Sequence, residues 1–367
     1  MSFPVKQSQT LLMLLAALLL ATSHASAADR IENLPQEAGR LDSASTRWYD
    51  VLLLGVEGRG WTATEDYYDR LPAKAKGVVR DPVWSLSRNS AGLCVRFLTD
   101  AGSISVSWDG GGGMPHMPAT GRSGVDLYME VDGEWRFRAV GKPDVEWTTK
   151  TLSGKLPGKE TRYILYLPLY NSVTKVEIGI PEGAVIAGVP RPEGKPIVFY
   201  GTSITQGGCA SRTGMAYPAI LGRRLDRETI NLGFSGNGRM EPEVAALLAE
   251  LDPAVYVIDC IPNVGEKIGE LTGPLVRVIR EKHPDTYILL VEDVRPWDEK
   301  ANRELRAAYR RLLAAGDKNV FLLKGRGMIG DDGEALVDGR HPSDLGFQRM
   351  ADAFEPVLRV LLKPGDE

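Results

Sequence analysis

A chain of 367 residues with 43% hydrophobic content can bury two cores and is too long for one small one. Acidic and basic side chains nearly cancel, at a formal net charge of -4, and no basic block stands out, which excludes nucleic acid as an expected partner. Three cysteines are an odd number and do not make a disulfide framework.

Taken in chain order, the first element is an export signal. Lys6 precedes an apolar run over residues 11–21, and Ala25-Ser26-Ala27 has the small-x-small form of a signal peptidase site. The run is short for a bilayer span. Residues 1–27 are therefore expected to be removed after Ala27, leaving a secreted or periplasmic protein with no membrane attachment. No cysteine near the cleavage site indicates a lipid anchor.

Residues 28–190 read as β structure. The runs 93–98, 103–108, 127–131, 162–167 and 175–180 alternate or are rich in β-branched and aromatic side chains. Turn signals such as Asp132-Gly133 and Pro157-Gly158 separate them, and few stretches carry a helical period. A β-sandwich is the natural solution. The glycine run at residues 110–113, followed by Met114-Pro115-His116, is either a long hairpin connection or a lip that carries His116 toward a substrate.

A proline-rich seam over residues 188–196 comes next and reads as a linker. Its prolines make it stiff and short in reach. The β domain is therefore expected to pack on the C-terminal domain, with the 110–113 loop and His116 best placed to reach a site there.

From residue 191 the pattern changes to strand and helix in alternation. Strands are expected at 197–200, 229–232, 255–258, 287–291 and 320–323. Helices are expected at 217–225, 241–251, 271–282, 302–315 and 343–362. Short, uniformly apolar strands between helices indicate a parallel sheet covered on both faces, a three-layer α/β domain over 191–367. Ligands in such domains bind at the carboxyl ends of the strands.

The loops at those ends hold the reactive residues. The first strand leads into Gly201-Thr202-Ser203, a serine on a tight turn. A phosphate-binding loop is excluded because no lysine stands after the later glycines. A serine hydroxyl needs a base. His283 sits in a charged helix-end turn and His116 in the β domain, whereas His341 stands three residues after Asp338, just before the last helix. A short loop there can fold the carboxylate onto the imidazole.

Ser203, Gly236 in Asn231-Leu232-Gly233-Phe234-Ser235-Gly236-Asn237, Asn263 in Asp259-Cys260-Ile261-Pro262-Asn263, and Asp338 with His341 stand in the order and strand positions of SGNH (GDSL-like) hydrolases. The sequence resembles that family over residues 195–363. The resemblance implies a flavodoxin-like parallel sheet. It also implies Ser203 as nucleophile, Asp338 and His341 as acid and base, and an oxyanion hole from Ser203, Gly236 and Asn263. The usual Gly-Asp-Ser is Gly201-Thr202-Ser203 here, and the third block has Cys260-Ile261-Pro262-Asn263 where Gly-x-Asn-Asp is common. Gly124-Val125-Asp126-Leu127-Tyr128 is similar to the Gly-x-Asp-Leu-Tyr signature of a β domain that precedes some SGNH esterases.

The expected activity is hydrolysis of small O-acyl esters, acetyl groups on carbohydrate foremost, through an acyl-enzyme. The alternatives are acyl transfer by the same triad and a non-catalytic carbohydrate-binding protein. A substrate contact is expected from His116, and Glu292 and Asp293, which come after the fourth strand, either bind substrate hydroxyls or cap the following turn. No cofactor is expected, and no metal, because no His/Cys/Asp cluster has ligand spacing along the chain. Cys209 and Cys260, both near strand ends, are either bridged or buried thiols.

Overall fold

The computed structural model describes residues 32–295 and 299–363. The expected signal segment, 1–27, lies outside the described residues. The described residues form sixteen strands. The first eleven are β1 (Arg40–Leu41), β2 (Thr46–Asp50), β3 (Val56–Glu57), β4 (Cys94–Thr99), β5 (Ile104–Asp109), β6 (Val125–Val131), β7 (Glu134–Gly141), β8 (Trp147–Ser153), β9 (Thr161–Tyr166), β10 (Val176–Pro181) and β11 (Ile186–Gly188). They form two antiparallel sheets, β1-β2-β10-β5-β8 and β11-β4-β9-β6-β7, with β3 beside β4. Tyr49, Val106, Trp108 and Ile178 from one sheet meet Val95, Phe97, Leu127 and Leu165 from the other in one buried core. That is the sandwich the alternating runs predict. β1, β2, β3, β7, β8 and β11 are additional to the predicted strands, and β7 and β8 are the longest of these. Both are sheet edges with much of their length exposed, so they carry little apolar signal.

One stretch of the N-terminal half does not belong to the sandwich core. The helix Asp81–Ser87 carries Pro82 in its first turn, where the missing N–H costs nothing. Val83 on this helix, with Leu71, Ala75 and Val79 before it, packs with Val198, Tyr200 and Tyr256 of the C-terminal half. Arg70 fixes this wrap. Fully buried, its guanidinium donates to the carbonyls of Asn89, Leu86, Asn231 and Gly233 at 2.6–3.0 Å. Unpaired burial of such a cation would be costly, and four carbonyl partners offset it.

The remaining strands are β12 (Ile197–Gly201), β13 (Thr229–Gly233), β14 (Val255–Asp259), β15 (Tyr287–Val291) and β16 (Val320–Leu323). All neighbours are parallel, in the order β13-β12-β14-β15-β16, a flavodoxin-like arrangement. Side chains alternate between two cores. Val198, Tyr200, Tyr256, Ile258, Ile288 and Leu290 face the helices Pro242–Leu248, Ile268–Lys282 and Glu299–Ala314. Ile197, Phe199, Val255, Val257, Leu289 and Val291 face Tyr217–Leu225 and Asp344–Leu361. Burial on both faces is why these strands read as continuous apolar runs. Chain order reverses direction at β12, so the crevice outside its carboxyl end is the natural ligand site.

Cys94, Cys209 and Cys260 are all free and buried. Cys260 sits in the core at the end of β14, with Sγ 3.8 Å from the Tyr200 carbonyl, while Cys209 faces the loop of Asp338 and His341. No helix among the described residues is long and apolar enough to cross a membrane.

Candidate active site

β12 ends in the turn that presents Ser203. The Thr202 hydroxyl caps the short helix Ser203–Gln206 by accepting from the Ile204 N–H at 3.2 Å. The amides of Gly207 and Gly208 donate to the Ser203 carbonyl at 3.0 and 2.7 Å. Gly201 has to be glycine: a Cβ there would lie 2.0 Å from Thr205 Oγ1 and 2.6 Å from the Asp259 carbonyl oxygen. The turn is thereby pressed onto β14, and Ser203 is left 7% exposed.

The other half of the site is a hairpin before the last helix. Leu336 bridges Pro342, Val337 N–H donates to the His341 carbonyl at 2.9 Å, and Ser343 N–H donates to the Ala335 carbonyl at 2.8 Å. Gly339 takes φ 76° in the tip, a conformation glycine adopts freely. The tip folds Asp338 back onto its own loop, where Oδ1 accepts from the backbone N–H of His341 at 2.8 Å and of Arg340 at 3.0 Å. Oδ2 pairs with His341 Nδ1 at 2.8 Å, and His341 Nε2 lies 2.9 Å from Ser203 Oγ. Serine, imidazole and carboxylate thus form one hydrogen-bonded chain. Burial alone would push the Asp338 carboxyl up, but the hydrogen bonds from His341 and Arg340 outweigh it and hold it at about 2.

The three groups that the sequence reading assigns to an oxyanion hole lie just past the carboxyl ends of β12, β13 and β14. The Ser203 N–H belongs to the first turn of its helix, where no intrahelical acceptor exists. Gly236 sits at φ 68° in the turn after β13. Asn263 Oδ1 accepts from Gly238 N–H at 3.0 Å, which commits that end of the amide and leaves Nδ2 as its donor.

The β domain closes around this turn. Tyr170 donates its hydroxyl to the Ser203 carbonyl at 3.2 Å. Gln206 joins three segments: Nε2 donates to Asn89 Oδ1 at 3.2 Å and to the Leu169 carbonyl at 3.1 Å, and Oε1 accepts from Ser235 N–H at 3.0 Å. Buried Met117 anchors the glycine-rich loop beside Ala210 and Ile204, and the backbone pair Met114–Met117 pinches its tip. His116 at that tip has its ring centre 5.5 Å from that of His341. Sequence reasoning missed Tyr170, Gln206 and Asn89, whose partners are distant in the chain and carry no local pattern.

Glu292 and Asp293 are corrected by the structure. Both are buried. Glu292 pairs with Arg306 at 2.5 and 3.1 Å and accepts from Gly325 N–H. Asp293 pairs with Arg295 and accepts its backbone N–H at 2.9 Å. Carboxylates at the right end of the sheet are here consumed, Glu292 by the helix Glu299–Ala314 and Asp293 by an arginine of its own loop. Spacing along the chain does not reveal one group of possible metal-ligating side chains that the fold assembles. His116, Cys209, Asp338 and His341 each offer a donor atom, all within 4.8 Å of one another, brought together from separate loops.

Beneath the nucleophile turn lies a carboxyl that sequence reasoning passed over. Asp259 accepts from Thr205 Oγ1 at 3.2 Å and from the Tyr217 hydroxyl at 3.1 Å. Burial, then the nearby Asp293 charge, pushes it from 3.8 to about 7 despite those donors. A raised folded-state value means that the folded protein holds a proton the unfolded chain has released. The associated stability is present below 3.8 and is lost as pH rises through about 7. Asp259→Asn is therefore expected to gain stability relative to the parent between pH 5 and pH 8, read as the shift in urea midpoint. A difference that does not change with pH would refute this.

Comparison with known proteins divides the chain in the same way. Residues 194–359 match the GDSL-like lipase/acylhydrolase family, and residues 46–186 match the N-terminal domain of SGNH-hydrolase-type esterases. A protein of Bacteroides ovatus described as a GDSL-like lipase is 35% identical, over 86% of this chain and 98% of its own, with a TM-score of 0.82. A salicylyl-acyltransferase from a tetracycline biosynthetic pathway shares the fold at 18% identity and TM-score 0.70, over 87% of this chain and 98% of that one. A family two carbohydrate esterase from Cellvibrio japonicus shares it at 16% identity and TM-score 0.55, over 86% and 98%. No functionally curated protein matches in sequence. The two family matches and the Bacteroides relative place the chain in the SGNH (GDSL-like) hydrolases, enzymes that act on ester bonds, as a member with the Gly-x-Asp-Leu-Tyr β domain in front.

Proposed function

We propose that the protein is an exported serine esterase that removes small acyl groups, acetyl foremost, from carbohydrate through an acyl-enzyme. The observation that carries this reading is the chain from Ser203 Oγ through the His341 ring to Asp338, at 2.9 and 2.8 Å. His341 Nε2 takes the hydroxyl proton as Ser203 attacks the acyl carbon, and Asp338 holds the ring in the required tautomer and stabilises the imidazolium. The oxyanion is met by the N–H groups of Ser203 and Gly236 and by Asn263 Nδ2. Collapse expels the alcohol with the proton from His341, and a water activated by the same ring then releases the acid.

The near-complete burial of Ser203 favours a short acyl group. His116, at the exposed rim, is placed for the alcohol portion. Export rests on the small-x-small pattern at residues 25–27 and is read from the N-terminal residue of the mature protein, expected at Ala28.

The test is a series of p-nitrophenyl acetate, butyrate and octanoate, followed by acetate release from an acetylated oligosaccharide. Rates should fall with acyl length, and a preference for octanoate would reject the short-acyl reading. Asn263→Ala is expected to lower kcat by roughly 10²-fold, the loss of one oxyanion donor. A change confined to KM would place Asn263 in ground-state binding instead.

A further inference from the structure

We infer that His116, Cys209, Asp338 and His341 form a site for a divalent cation of the zinc class, and that occupancy switches the enzyme off. The inference rests on the reading of His341 as the base of Ser203.

The four donors come from the glycine-rich loop of the β domain, the turn after the nucleophile and the Asp338–His341 hairpin. Their ligand atoms lie within 4.8 Å of one another. Tetrahedral bonds of 2.0–2.3 Å set neighbouring donors about 3.3–3.8 Å apart, so the cluster closes by about 1 Å. Side-chain rotation at the exposed His116 and Asp338 supplies that movement and leaves a path from solvent. Two imidazoles, a thiol and a carboxylate suit zinc, whereas magnesium and calcium take oxygen donors. Neither His116 nor Cys209 has a part in the triad. Cys209 nevertheless holds φ 76°, a left-handed conformation rare outside glycine, within reach of Asp338 and His341. On binding, Cys209 gives its proton to solvent and ligates as thiolate.

Inhibition arises from which atoms are available. His341 has two ring nitrogens, one held 2.9 Å from Ser203 and the other 2.8 Å from Asp338. Whichever it offers to the cation, the chain that activates the serine is broken. The metal therefore competes with Ser203 or Asp338 for one imidazole.

Two measurements on the full-length protein test this, and the first needs no activity. In Ser203→Ala, Co2+ should give a thiolate-to-cobalt charge-transfer band that Zn2+ displaces and Cys209→Ser abolishes. In the active protein, Zn2+ should suppress p-nitrophenyl acetate hydrolysis, EDTA should restore it, and Mg2+ and Ca2+ should leave it unchanged. With each variant referred to its own metal-free rate, Cys209→Ser and His116→Ala should raise the half-inhibiting zinc concentration roughly tenfold or more, the least expected for a lost ligand. Absence of the cobalt band overturns the site. Equal zinc sensitivity in both variants and the parent overturns the assignment of its ligands. An inactive parent that still shows the band would count against the esterase reading and leave the metal site standing.

Discussion

Ser203→Ala lowers kcat on p-nitrophenyl acetate by on the order of 10³-fold or more while the protein stays folded. The two halves of this expectation come from different atoms. The hydroxyl is engaged by His341 at 2.9 Å, so truncation removes the attacking oxygen and the partner of the base together. The turn does not depend on it. Its cap is the Thr202 hydroxyl, and its closing bonds run from Gly207, Gly208 and Tyr170 to the Ser203 carbonyl. A melting temperature close to the parent's accompanies the loss. Near-normal turnover from a folded Ser203→Ala protein would falsify the nucleophile assignment.

Asp338→Asn is expected to cost on the order of 10³–10⁴-fold in kcat. The amide keeps the shape of the carboxylate and can still accept the backbone N–H groups of Arg340 and His341. At the ring it replaces an anion by a neutral group that no longer stabilises the imidazolium, and an amide nitrogen there turns the imidazole to the wrong tautomer. Asp338, held at about 2, stays ionised through the ordinary acidic range. Asp338 therefore adds no proton to the acid limb of the parental activity profile. Loss of an acid-side proton from that profile in Asp338→Asn would show that it does. A loss under tenfold in Asp338→Asn would mean that other contacts orient His341.

The pattern of the two halves was legible because each core leaves its period in the sequence. The strands of the parallel sheet are buried on both faces and read as apolar runs. The sandwich strands β4, β5, β6, β9 and β10 contribute to one shared core and read as alternation or β-branched content. Edge strands β7 and β8 bury too little to leave a mark. The segment from Arg70 to Ser87 shows the opposite limit. Its apolar residues were visible, but nothing local said that they pack on Val198 and Tyr256 instead of inside the sandwich.

By itself the sequence determined the order of the reactive blocks: Ser203, Gly236, Asn263, and Asp338 with His341. Each lies at the end of a strand or before a helix, where short-range geometry fixes the backbone. Asp338 reaches His341 within three residues, so that contact too is local. Only the tertiary structure decided which charges are free to act. Glu292 occupies the proper end of the sheet, yet Arg306 of the following helix neutralises it in the interior, a pairing set by how that helix packs, while Asp293 is taken by Arg295 two residues on. His116 and Cys209 have no meaning as isolated residues. They approach His341 because Met117 docks a loop of one domain against Ala210 of the other. Contacts of that kind depend on the packing of surfaces far apart in the chain, and no spacing along it encodes them.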